Sequence, residues 1–219
     1  MGELRIHSVL VTGANRGIGL GFIQHFLGMP TPPKWVFAGC RDPKGQRAQE
    51  LQNLASKHPN LLIVPLDVSN PASIKAAAAP VEKHLGGSGL TLLINNAGIA
   101  TFNKLEDETL EDMTQVYTID TIGPLLMGQA LLPLLKKGAQ GNPSSALSCS
   151  KAAIINISSS TASIASSSYW DMVQIVSSRC SKPPVTVDSS VQGMLNVLSS
   201  LSEKDTGTFL DWEGKVVPW

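Results

Sequence analysis

The sequence predicts an α/β fold, a doubly wound parallel sheet, on three observations. Short apolar runs recur along the chain, amphipathic stretches of helical period separate them, and a glycine-rich turn joins the first run to the first such stretch. The apolar runs do not alternate with polar residues, which is how parallel strands read when helices cover both faces. Strand and helix patterns in regular alternation imply that architecture rather than a sandwich or a bundle.

The predicted strands are Ser8–Thr12 (SVLVT), Trp35–Gly39 (WVFAG), Leu61–Leu66 (LLIVPL), Leu90–Asn95 (LTLLIN) and Ala153–Ile157 (AIINI). After the first, Leu20, Ile23, Phe26 and Leu27 recur at helical spacing, as do Val116, Ile119, Ile122 and Leu126 before the fifth. The regularity ends after Ile157, where a Ser-rich stretch, 158–168, leads toward Lys182 and the pair Pro183-Pro184, which stops any helix running into it. Val191, Met194, Leu195, Leu198 and Leu201 then form one apolar helix face, and residues 207–219 read as a final strand with a turn at Glu213-Gly214. No internal repeat and no linker divides the chain, so residues 1–219 read as a single domain.

Composition narrows the class. Hydrophobic residues make up 42% and charged residues 16%, the balance of a globular protein. Lys+Arg and Asp+Glu are both 17, so no net field argues for nucleic acid or an anionic membrane surface. No uninterrupted apolar run approaches the ~20 residues that span a bilayer. The opening residues run straight into a strand pattern without a signal peptide, and Ile6 breaks the myristoylation pattern that Gly2 would begin. Cys40, Cys149 and Cys180 are widely spaced and form neither CxxC nor a zinc pattern. They are expected to be structural thiols of a cytoplasmic protein that holds no metal.

Thr12-Gly13-Ala14-Asn15-Arg16-Gly17-Ile18-Gly19 carries the first chemical signal. Glycines between a strand and a helix permit a tight turn and close approach of a pyrophosphate to the helix N-terminus, where unpaired N–H groups and the dipole favour an anion. Glycines also serve turns that bind nothing, so context decides. Here Asn95-Asn96-Ala97-Gly98 follows the fourth strand and Asn156-Ile157-Ser158-Ser159 the fifth. With these three motifs in order the chain resembles the short-chain dehydrogenase/reductase family, which has a Rossmann-like fold. The texture of residues 10–20, 122–130 and 206–219 is similar to the C-factor/sniffer-like carbonyl reductases within it.

The resemblance implies a role for each matching position. Gly13 and the run Asn15, Arg16, Gly17, Ile18 and Gly19 would hold the pyrophosphate of a nicotinamide nucleotide. Arg41, past the second strand, would meet an adenosine 2′-phosphate with help from Arg16, or else is a solvated surface arginine. No acidic residue ends that strand to take a ribose 2′-OH, which favours NADP(H) over NAD(H). Asp67 and Val68 would contact the adenine, and Asn95, Ala97 and Gly98 would line the ribose–nicotinamide side. Asn95 has a second reading, a brace for the central strand through backbone hydrogen bonds. In the family's chemistry a tyrosine passes a proton to a carbonyl oxygen, a lysine four residues on lowers its pKa, and a serine positions the substrate.

Three departures stand against that chemistry. Ser159 and Lys182 match the serine and the lysine, but Ser178 stands where the tyrosine should be. An aliphatic hydroxyl is a far poorer acid than a phenol whose pKa starts near ~10. Neither Tyr117 nor Tyr169 has a lysine four residues later. Asp120 occupies a place where the family usually has Asn, and adds a negative charge beneath the site. Finally, Lys182 is followed at once by a segment resembling the family's C-terminal part. Roughly 35–40 residues are missing near 182/183, judged against ordinary domain lengths. The expected fold therefore lacks one strand and one helix near the C-terminal third, exposing a sheet edge and removing part of the usual family dimer interface.

Two functional readings follow. One is an NADP(H)-dependent carbonyl reductase acting on a small carbonyl substrate through an altered acid such as water. The other is a catalytically inactive pseudoenzyme that acts through nucleotide or protein binding. The absent Tyr-x-x-x-Lys favours little or no turnover, and Lys182 can equally be a surface lysine.

Overall fold

The computed structural model of the protein describes residues 5–101, 103, 105–141, 148–159 and 186–218. Five parallel strands form one sheet in the order β3-β2-β1-β4-β5. They are β1 (Ser8–Thr12), β2 (Trp35–Cys40), β3 (Leu61–Pro65), β4 (Leu92–Asn95) and β5 (Ala153–Asn156). The helices are α1 (Gly17–Leu27), α2 (Gln49–Lys57), α3 (Pro71–Leu85), α4 (Leu110–Tyr117), α5 (Gly123–Gln140) and α6 (Val187–Ser200). This is the doubly wound α/β architecture that the sequence predicts.

Side chains alternate across a strand, so each central strand feeds two cores. Val9, Val11, Val36, Ala38, Leu92 and Ile94 face a cluster with α1, α2 and α6. Leu10, Phe37 and Leu93 face the opposite cluster with α3 and α5. Phe22, Ile23 and Phe26 of α1 are fully buried, and burial stabilises by about 1.5–3 kcal/mol for each such side chain. α6 lies on α1, so closely that a Cβ on Gly21 would come 3.0 Å from both Val187 and Val191. The predicted α6 face is realised, with Val191, Leu195 and Leu198 buried and Met194 and Leu201 packed beside them.

Two expectations change. Between α4 and α5 the chain makes a π-turn at Thr118–Ile122. The residue it inserts rotates the following side chains, so Val116 and Ile119 stay buried while Ile122 turns outward at 37% exposure. The whole helix Leu110–Gln140 is long and apolar enough to pass for a membrane span by length and composition. It packs as a core helix through Met127, Leu131, Leu134 and Leu135. The second change concerns the tail, which adds no strand to the sheet among the described residues. Its one ladder contact is an antiparallel bridge between Leu210 and Val216. The carboxylate of Asp211 accepts the N–H groups of Glu213 and Lys215, closing a local turn with Gly214 at φ +84°. Trp212 then rests on α6 at Gly193, where a Cβ would meet the indole ring at 2.4 Å.

β5 pairs with β4 alone among the described residues, and Leu125, Leu132 and Ile154 are exposed beside it.

Candidate nucleotide site

In an open α/β sheet, ligands bind beyond the carboxyl ends of the strands, where the strand order reverses. Here that point lies between β1 and β4, since β1 leads outward to β2 and β3 while β4 leads the other way to β5. The glycine-rich turn leaves the end of β1 and the segment 95–99 leaves the end of β4, so the two motifs meet at the crevice.

They are joined by hydrogen bonds. The Oγ1 of Thr12, 1% exposed, accepts the backbone N–H groups of Asn96 at 3.0 Å and Ala97 at 2.9 Å. The side-chain amide of Asn96 donates back to the Thr12 carbonyl at 2.9 Å. Gly13, at φ +64°, has the Ala97 Cα 2.9 Å from where a Cβ would stand, and a Cβ on Gly19 would lie 2.3 Å from the Gly13 oxygen. These two glycines are required by the protein's own packing.

Gly17 differs. Its φ of +54° is left-handed, yet nothing lies within 4 Å of the position a Cβ would take. It opens α1, whose N-cap residue Arg16 makes no side-chain cap and whose first turn carries no acid. The first N–H groups of α1 therefore face outward with a favourable dipole behind them, a fitting seat for an anion. Arg16 is exposed at this mouth, and Ile18 is half-buried against the core beneath. Asn15 reaches across to the Arg47 carbonyl at 3.5 Å, and a groove beside the turn is lined by Asn15, Arg16, Gly17, Gln46, Arg47 and Glu50.

Arg41 follows β2 and is exposed. Asp67 is half-buried past β3, and its Oδ1 accepts both the N–H and the hydroxyl of Ser69. The Val68 side chain packs into the core, and its carbonyl oxygen lies against Gly123. Ala97 is half-buried and Gly98 exposed at the end of β4.

Asn95 is 5% exposed, and its amide donates to the Oδ1 of Asn156 at 2.9 Å, directly across the β4–β5 register. The bracing role is thus carried by a side-chain bond to a neighbouring strand rather than by backbone alone. Its own Oδ1 is buried with no partner among the described residues, and such an acceptor costs about 1–3 kcal/mol unless something donates to it. Asp120, in the π-turn, accepts the Ile99 N–H at 3.0 Å, and burial raises its carboxyl above the usual carboxylate range against the lowering effect of that bond.

Ser159 lies three residues past Asn156 and is half-buried. Ser178, Lys182 and the 182/183 junction lie outside the described residues, as do Tyr169 and Cys180. The described residues include every expected cofactor-binding position, each on a segment that follows one of the strands β1 to β4 or at its end, and, of the expected catalytic group, Ser159. Among them no cluster of His, Cys, Asp or Glu could hold a metal ion. Sequence reasoning did not assign roles to Thr12, Asn96 and Asn156; a hydroxyl ending an otherwise apolar strand was the available signal for the first.

Comparison with known proteins agrees with this geometry. The short chain dehydrogenase profile matches residues 7–170. The NADPH-bound carbonyl reductase from chicken fatty liver is 58% identical, with a TM-score of 0.95 over 100% of this chain and 96% of that one. Carbonyl reductase Sniffer of D. melanogaster is 29% identical, with a TM-score of 0.86 over 98% and 100%. Short chain dehydrogenase gsfK of Penicillium aethiopicum is 33% identical over 160 residues, 72% of this chain. The chain spans between 30% and 59% of the length of the first curated relatives it matches. A fold, a switch-point crevice and a profile covering most of the sequence agree: the chain belongs to the short-chain dehydrogenase family and is carbonyl reductase-like in fold.

Proposed function

We propose that this protein binds NADP(H) in the crevice between β1 and β4 and reduces carbonyl compounds slowly or not at all. The single observation that carries the nucleotide reading is the uncapped N-terminus of α1 beside Gly17, a left-handed turn with open space where a side chain would be. The N–H groups of residues 17–19 hold the pyrophosphate, and Arg41 with Arg16 holds the 2′-phosphate. β2 ends at Gly39-Cys40, followed by Arg41, without the acid that a free 2′-OH would need, which favours NADP(H). The chicken reductase, solved with NADPH, supports the same choice.

The bound nucleotide would supply hydride. What the chain lacks is a matched acid for the carbonyl oxygen. Ser159 can orient that oxygen, but Ser178 cannot replace a phenol as proton donor, and Asp120 puts a carboxylate where a neutral amide is expected. An internal deletion fits the alignment with srdF of Neurospora crassa, which extends over 252 positions although this chain has 219 residues, and the sequence motifs put it near 182/183. The exposed Leu125, Leu132 and Ile154 beside β5 also fit the loss of a covering element.

The test is NADPH oxidation by the purified chain with a panel of small aldehydes and ketones, beside Ser178→Tyr. Wild-type rates at background are expected, with any gain confined to Ser178→Tyr. Wild-type turnover at about 1 s⁻¹ or faster, the range of ordinary enzymes, would overturn the low-turnover reading.

A further inference from the structure

Asp120 occupies a definite place in the crevice. Its Oδ1 accepts the Ile99 N–H at 3.0 Å, and a Cβ added to the exposed Gly98 would lie 3.4 Å from that oxygen. The carboxylate therefore lies directly behind the backbone that leaves β4 at the mouth of the crevice. Asn156, at the end of β5, lines the same surface groove as Asp120. The groups beside it, the Gly98–Ile99 backbone and the groove residues Thr121, Gln129 and Asn156, are uncharged. Among the described residues no cation offsets it.

A dinucleotide straddling the switch point has its pyrophosphate on α1. Its adenosine half extends toward β2 and β3, where Arg41 and Asp67 stand, so its nicotinamide half lies over the ends of β4 and β5. The oxidised nicotinamide ring is a cation and the reduced ring is neutral, so a fixed anion beneath that half acts differently on the two forms. We propose that Asp120 makes this site prefer the oxidised nucleotide over the reduced one.

The inference rests on the nucleotide-binding reading. For a charge separation on the order of 8 Å and an effective dielectric of about 20–40, Coulomb's law gives a change in relative affinity of about 5- to 30-fold. A tenfold change corresponds to about 30 mV in the midpoint of a bound two-electron couple. If Asp120 only anchors the 98–99 backbone, the two forms respond alike to its replacement.

Calorimetric titration of the full chain with NADP⁺ and with NADPH separates these cases. Asp120→Asn keeps an oxygen for the Ile99 N–H and removes the charge; Asp120→Thr removes the charge by a different route. Both variants are expected to weaken NADP⁺ relative to NADPH by about 5- to 30-fold against wild type. A ratio unchanged within about twofold in both overturns the role of Asp120 and leaves the nucleotide site standing. Failure of wild type to bind either form removes the nucleotide reading and this inference with it.

Discussion

Thr12→Val removes one oxygen from the crevice and changes the shape little, which makes it a sensitive perturbation. The Thr12 hydroxyl accepts two backbone N–H groups, from Asn96 and Ala97, at a position 1% exposed. Valine leaves both donors without that partner. A buried donor left unpaired costs about 1–3 kcal/mol. Asn96 and Ala97 are half-buried and water can reach them in part, so the two together cost about 2–4 kcal/mol. For a chain of this length that lowers the melting midpoint by about 5–15 °C. Urea unfolding followed by far-ultraviolet circular dichroism measures it, with Thr12→Ser as the control that keeps the hydroxyl and loses one methyl, about 1 kcal/mol. A Thr12→Val protein within about 0.5 kcal/mol of Thr12→Ser would refute the claim that this hydroxyl fastens the two motifs together.

Gly17 and Gly19 should separate binding from folding. Gly17→Ala adds a methyl in open space at φ +54°, so about 1 kcal/mol of stability and most NADPH affinity should be lost. Gly19→Ala drives a Cβ against the Gly13 oxygen and should cost about 2 kcal/mol in urea unfolding, with binding lost as a consequence. Equal stability losses in the two would contradict this division. Cys149 is buried and its thiol is pushed up to about 11 from 9.0. Because the folded pKa lies above the unfolded one, the unfolded chain releases its proton first, so the stabilisation is complete below pH 9 and declines between pH 9 and 11. Cys149→Ala should flatten that decline in pH-dependent melts, and in a Cys180→Ser background the native thiols should resist disulfide-exchange reagents at pH 8.

The fold was legible because its signals are local. Val9, Val36 and Leu92 sit in runs that only strands covered on both faces would carry, and β1 begins and ends where its apolar run does. The glycine-rich turn of the candidate site was legible for the same reason, since its glycines stand in one short segment next to a strand. What stayed hidden depends on long-range geometry. The Thr12–Asn96 bonds join residues 84 apart in sequence, and the Asn95–Asn156 bond joins residues 61 apart. No periodicity predicts which side chains will face each other across a sheet. The π-turn that rotates Ile122 outward is a one-residue change of phase inside a pattern that still reads as helical. The tail has strand-like composition, but a strand needs a neighbouring edge, and its backbone turns on Asp211 instead.

We propose that the turn at residues 12–19 is a working nucleotide site in a chain whose proton donor is gone. Calorimetric titration of the wild-type chain with NADPH, paired with Gly17→Asp, tests it most directly. Micromolar binding by wild type and none by Gly17→Asp is expected, because the new carboxylate would stand where the pyrophosphate rests. Absence of wild-type binding at millimolar NADPH, or equal binding by the two proteins, would contradict it.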